Sequence, residues 1–194
     1  MISNNIYKKI VSNAEIQNIL LEYFDFEMIK ASRNTKDYFF IIDYQATVLA
    51  QDASGGIFAL IEDIKDSPII YVSSEGQAGK VGERFEDFII VMVTCPFWRD
   101  LLKFSGNGQV SEMRRALPFL KDEILEDFPN IEEYKNMIIS ELSLWTISDP
   151  VQSLYNSIVS EPQIPVFSIE GGKFDSLFNS YVVTDNPHWR NKVQ

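Results

Sequence analysis

The chain has 194 residues, of which 45% are hydrophobic and 13% aromatic, enough apolar mass for one globular domain with a buried core. Its 28 acidic residues outweigh 17 basic ones, for a net charge of −11. That field disfavours binding to nucleic-acid phosphates, which rests on lysine and arginine, and it favours solubility or a basic partner. The single cysteine, Cys95, excludes an intramolecular disulfide and sits in an apolar setting that predicts a buried thiol. Met1 to Val11 lacks the apolar core of a secretory leader, and the longest apolar run, Phe88 to Val93, is too short to span a membrane. A cytoplasmic protein is the expectation.

In chain order, Asn13 is placed to cap an amphipathic helix whose apolar face carries Ile16, Ile19, Leu20 and Tyr23. Phe26 to Thr35 reads as a connection. Tyr38 to Ile42 is a continuous apolar run of strand length, expected to be buried on both faces. Val48 to Ala50, Ile57 to Ile61 and Ile69 to Ser73 follow as strands. They are separated by the Asp52–Gly56 turn and the polar stretch from Glu62 to Pro68, and short connections of that kind predict an antiparallel meander. Gly56 and Gly76 are expected at positive φ, where side chains are resisted.

The glycine-spaced stretch from Ser74 to Gly82 reads as a loop entering a helix, whose face is set by Phe85, Phe88, Ile89 and Met92. Pro96 interrupts that helix, and Phe97, Trp98, Leu101, Leu102 and Phe104 resume the apolar face, with Trp98 expected in the core. Ser105 to Gly108 reads as a flexible break. Four helices are then predicted: one over Val110 to Leu117 that stops at Pro118, then Phe119 to Phe128, Ile131 to Trp145 and Val151 to Val159. The tail returns to β-like stretches at Val166 to Ile169 and Tyr181 to Thr184, with a turn at Gly171-Gly172 between them. The predicted fold class is α+β in one domain over 1–194: a mostly antiparallel meander with helices packed on one face, and a helical extension over about 109–160.

Motifs of catalysis and ligand binding fail one by one. Against the phosphate-binding P-loop pattern, Ser74 stands where the first glycine belongs. Gly79-Lys80 fits, but Val81 replaces the hydroxyl that would reach magnesium. The dinucleotide glycine pattern is absent. The one histidine, His188, lies near the carboxy terminus, and no nucleophile elbow exists to pair with it. One histidine and one cysteine cannot build a zinc site without many carboxylates, and nothing marks one acid/base pair out from 28 acids. No catalytic residue, metal or cofactor is therefore assigned.

The acidic residues are unevenly placed. Asp122, Glu123, Glu126, Asp127, Glu132 and Glu133 crowd one segment, with Lys121 as the local offset. A second group, Asp52, Glu62, Asp63, Asp66 and Glu75, lies in and around the meander loops. Solvated helix faces and polar turns account for both groups; a surface shaped for a basic protein is the functional alternative.

The order turn, Gly-Gly, strand, turn, strand, Ser-Ser-Glu-Gly, helix and PFWRDLLKF resembles the SUKH superfamily over residues 38 to 104. The match rests on Asp52, Gly55, Gly56, Pro68, Ser74, Glu75, Gly76, Phe85, Phe88, Trp98 and Leu101. That superfamily includes yeast regulators of cell-wall synthesis and many bacterial immunity proteins against polymorphic, contact-dependent toxins. The resemblance implies a binding protein without chemistry of its own that blocks a cognate basic toxin, such as a nuclease, by direct complex formation. A regulatory adaptor is the alternative it implies. The matched residues are expected to be structural. Asp122, Glu123, Glu126, Asp127, Glu62, Asp63 and Glu75 are the candidates for partner contact.

Overall fold

The structure, a computed structural model, describes residues 4–190. The stretch considered as a leader lies partly outside these residues; from Asn5 to Val11 it is helix α1, capped by the Asn4 side chain, which accepts from the Tyr7 N–H. Helix α2 (Ala14–Phe24) follows, with Asn13 accepting from the N–H groups of Glu15 and Ile16, as its sequence predicts. No helix of the described residues is long and apolar enough to cross a membrane.

The segment read as a connection contains strand β1 (Glu27–Ser32), which pairs antiparallel with β3 (Ala46–Gln51). Its half-exposed residues show no clean alternation because it is an edge strand; pairing, rather than its own periodicity, holds it. The run expected as a doubly buried strand divides differently. Tyr38 closes a 3-10 turn, and β2 (Phe40–Ile42) pairs with β7 (Val166–Ser168) in a separate two-stranded ribbon. Only Phe40 of β2 is fully buried, because the ribbon covers the main sheet with one face and leaves the other towards solvent.

The main sheet has five antiparallel strands in the order β1-β3-β4-β5-β6, with β4 (Ile57–Ile61), β5 (Ile69–Val72) and β6 (Ala78–Gly82) completing the meander. Alternation along β4 sends Phe58 and Leu60 to one face and Ile57, Ala59 and Ile61 to the other. The first face packs under the helices, where Phe58, Tyr71, Phe88 and Trp98 form one aromatic cluster; the second lies beneath the β2–β7 ribbon. The fold is thus α+β, with an antiparallel meander carrying its helices on one face.

Strand β6 corrects the expectation of a long glycine loop. Its glycines serve close approach: a Cβ on Gly79 would meet Leu177 at 3.1 Å, and one on Gly82 would stand 2.9 Å from Phe88. Lys80 points inward, 2% exposed, and pairs with Glu83 at 2.8 Å, which removes it from any phosphate-binding role.

Helix α3 (Phe85–Thr94) ends before Pro96, and α4 (Trp98–Lys103) resumes the apolar face, as the spacing predicts. Pro118, by contrast, does not divide the next segment. Helix α5 (Val110–Asp127) runs through it, since Met113, Ala116 and Leu120 keep one buried face in register across the proline. Helix α7 (Pro150–Val159) matches its predicted segment, whereas α6 (Ile131–Leu142) stops short of the predicted end at Trp145 because Ser143 turns left-handed at φ +56°. Ser105 to Gly108 is not a flexible break. The tail pins it: Gly106 N–H donates to the Tyr181 carbonyl, Asn107 N–H to Asn179, and Asn179 N–H to Leu102. Asn179 and Tyr181 supply that clamp, and the chain then turns into a 3-10 segment at Val183–Asp185, so Tyr181 to Thr184 forms no strand.

The turn glycines divide by mechanism. Gly55 and Gly76 adopt φ of +88° and +87° with open space around them. Gly56 does not lie in the left-handed region, so the conformational reason expected for it is wrong. Its hydrogen faces a crowded pocket, where a Cβ would stand 2.4 Å from the Tyr71 hydroxyl and 2.5 Å from the Asp52 carboxylate. Gly55→Ala is expected to cost about 1–2 kcal/mol through backbone strain, and Gly56→Ala about 2–3 kcal/mol through overpacking. Urea midpoints of the two variants check the order.

Candidate functional site

The antiparallel meander brings two hairpin turns, Asp52–Gly56 and Ser73–Gln77, to the same end of the sheet. Asp52 organises the first. Its carboxylate is completely buried and accepts from the Gly56 N–H at 2.7 Å, from the N–H and hydroxyl of Ser54 at 2.9 and 2.7 Å, and from the Tyr71 hydroxyl at 2.7 Å. Arg99 of α4 adds a fifth donor at 3.2 Å and reaches Asp25 at 2.5 Å with its other nitrogen. Asp25 itself ends α2 at φ +50° and accepts from the Ala53 N–H, which stitches α2, α4 and the turn together. Burial pushes the Asp52 carboxyl upward, but hydrogen bonds from Tyr71, Ser54 and Gly56 and the Arg99 charge outweigh it, and the net shift is downward. Burial, then the bond to Asp52, pushes the Tyr71 hydroxyl well above its usual range.

Beside this hub lies a polar cleft of about 530 Å³. Ser74 and Glu75 of the second hairpin line it together with Asn179 and Tyr181 of the tail. Helix α4 contributes Arg99, Asp100 and Lys103, while its Leu101 is buried in the core. Trp98 also lines it and is wholly buried, and its Nε1–H has no hydrogen-bond partner within the fold. A buried donor left in that state costs about 1–3 kcal/mol. Desolvation pushes the Asp100 carboxyl upward; Lys103 and Arg99 pull it back, and Glu123 of α5 adds to the rise.

The sequence candidates are distributed over this geometry unevenly. Asp122, Glu123, Glu126 and Asp127 are exposed along the last turns of α5, and Glu132 and Glu133 open α6. Asp122, Glu126 and Asp127 form no ion pair among the described residues, whereas Glu123 accepts from the Trp189 Nε1–H at 2.6 Å. The last turn of α5 holds no basic residue, so Glu126 and Asp127 sit unfavourably against the negative end of the helix dipole. The fold gains nothing from carboxylates at that position.

The second acidic group does not form a surface. Asp52 is interior, and Glu62 and Asp63 lie in the β4–β5 turn, at the opposite end of the sheet from Glu75. Glu62 is held by Thr47 and Arg33, which bring its carboxyl below the usual range, and Asp63 accepts from the Gln45 N–H. Of that group, only Glu75 joins the cleft. Of the residues that carry the sequence resemblance, Asp52, Gly56 and Trp98 are buried, and Trp98, Ser74 and Glu75 line the cleft.

Sequence reasoning overlooked Arg99, Asp100, Lys103, Asn179 and Tyr181. For the first three a signal was present: Trp98, Leu101, Leu102 and Phe104 define the apolar face, and the charged residues between them must face elsewhere. For Asn179 and Tyr181 no local pattern existed. Cys95 is buried, and burial pushes its thiol well above its usual range, so it is shielded from reaction. His188 is exposed, and among the described residues no group of three or more metal-ligating side chains gathers. No protein-family profile matches the chain, and no curated protein or solved structure matches it.

Proposed function

We propose that this chain is a non-catalytic binding protein of the SUKH type that neutralises a basic toxin domain by forming a direct complex with it. The observation that supports this reading is the surface formed by the end of α5. Exposed carboxylates without ion-pair partners among the described residues stand there where the helix dipole disfavours them. Charge kept at a cost to the helix fits a surface that meets opposite charge, and complementary potentials raise encounter rates and exclude wrong partners.

Affinity capture from the source cells tests the reading. A stoichiometric complex with a secreted basic protein, whose toxicity disappears when this chain is co-expressed, is the expected result. Several housekeeping partners and no toxin would overturn it in favour of a regulatory adaptor. With the toxin in hand, Asp122→Lys, Glu126→Lys and Asp127→Lys together should slow association by about tenfold or more at low salt, with the effect fading as ionic strength rises. Glu123 is left in place because it anchors Trp189. Stopped-flow mixing at several salt concentrations measures this. Rates indifferent to both salt and substitution would remove the electrostatic basis of the proposal.

A further inference from the structure

We propose that Tyr23 and Tyr134 form an oxidative cross-linking site, at which a one-electron oxidant joins the two rings as dityrosine within a single chain and so fastens α2 to α6. The inference does not depend on the identity of the partner.

The geometry singles this pair out from the eight tyrosines of the chain. Among the described residues Tyr23 and Tyr134 alone stack on each other, with ring centres 3.9 Å apart and planes 24° from parallel. The Tyr23 hydroxyl donates to the Tyr134 hydroxyl at 3.1 Å. Stacked rings whose hydroxyls also meet must point the same way, so the ortho carbon beside each hydroxyl lies over its counterpart on the other ring. Elsewhere tyrosines meet other aromatics: Tyr71 lies against Phe58 and Trp98, Tyr155 against Phe178, and Tyr181 against Phe104.

Both rings are held in place by packing. Leu20 and Phe24 are buried beside Tyr23 on α2, and Ile131 and Ile138 are buried on either side of Tyr134 on α6. Phe128 meets the Tyr23 ring edge-on, with centres 5.6 Å apart. Both tyrosines are half-buried, which leaves a path for their phenolic protons to reach water. The Tyr23 phenol is pushed up to about 12, first by its bond to Tyr134, so the hydrogen bond that aligns the rings persists at neutral pH.

The oxidation is balanced as follows. Each phenol gives one electron to the oxidant and one proton to water, leaving two phenoxyl radicals. Their unpaired electrons combine in a bond between ortho carbons, and the two displaced ring hydrogens move to the oxygens, which restores both phenols. Two electrons and two protons leave in all. Because the second radical forms against the first, coupling requires no encounter between chains. Cys95, the one thiol, is buried and does not compete.

Brief illumination of the dilute chain with ruthenium tris-bipyridine tests the site. Persulfate is the electron acceptor, its two electrons yielding two sulfates, and N-acetyl-tyrosine amide illuminated in parallel sets the dose. The expected product is a monomer with dityrosine fluorescence, lighter by two hydrogens, in which peptide mapping joins the Tyr23 and Tyr134 segments. Tyr23→Phe, which keeps the stacked ring, should abolish the product in the monomer. Tyr181→Phe, which removes an exposed tyrosine packed on Phe104, should leave it unchanged. The cross-linked monomer should unfold at a higher urea concentration, since a link between residues 111 positions apart restricts the unfolded chain. No cross-link at a dose that couples the free amide, dityrosine between chains only, or a product undiminished in Tyr23→Phe would each overturn the inference. An unchanged urea midpoint would overturn the fastening of α2 to α6.

Discussion

Asp52→Ala is expected to lower stability by about 3–5 kcal/mol, the loss that follows when one member of a buried charged network is removed. The substitution strips the acceptor from the Gly56 N–H and from the Tyr71 hydroxyl, both interior, and leaves Arg99 with Asp25 alone. The damage reaches α2, α4 and both strands of the first hairpin, because all of them meet at this carboxylate. Asp52→Asn keeps the volume but places amide hydrogens against donors, so an intermediate loss is expected. Urea denaturation with an unchanged slope measures both. A midpoint for Asp52→Ala equal to that of the unaltered chain would show that the network adds nothing.

The same carboxylate has a defined pH dependence. Its folded value is depressed below the ordinary 3.8, so the folded state prefers the ionised form. Its contribution is fully present above pH 3.8 and is lost as the pH falls through the lower folded value. The stability gap between the unaltered chain and Asp52→Asn should therefore be constant near neutrality and narrow only in acid. A gap that widened on acidification would contradict the sign.

Trp98→Ala is the second large effect, also about 3–5 kcal/mol, as for other buried large aromatics. Its ring meets Tyr71 at 5.1 Å and Phe88 at 5.4 Å, nearly perpendicular in both cases, and Phe58 at 6.2 Å, so truncation opens a cavity at the centre of the aromatic cluster. Trp98→Phe should cost about 1 kcal/mol or less. It loses some volume, but it also removes an N–H that the fold leaves without a partner. A phenylalanine variant as unstable as the alanine variant would show that the indole nitrogen is satisfied in solution. An alanine variant as stable as the parent would place Trp98 outside the core.

Much of the architecture can be read locally. The strand Ile57–Ile61, the turns on either side of it, the Asn13 cap and the helical spacing of Phe85, Phe88, Ile89 and Met92 each sit within a few residues, and all survive in the fold. They are legible because period and capping are properties of a short window. The acid-rich segment of α5 is legible for the same reason, since residues 122, 123, 126 and 127 share a helical surface wherever the helix lies.

The remaining features depend on partners far along the chain. Glu27–Ser32 and Ala78–Gly82 are strands because β3 and β5 pair with them; alone, one is too polar and the other too rich in glycine. Helix α5 continues through Pro118 because its buried face finds a core on both sides of the proline. Asp52 became an interior hub, Glu62 and Asp63 parted from Glu75, and Glu75 came to line one cleft with Asp100 and Tyr181. The sequence by itself determined the fold class, the helical and meander segments and the negative charge, since these follow from composition and short-range period. Only the tertiary structure decided which carboxylates are buried, which are held by neighbours and which stand free around a cleft, because that sorting depends on contacts between residues dozens of positions apart.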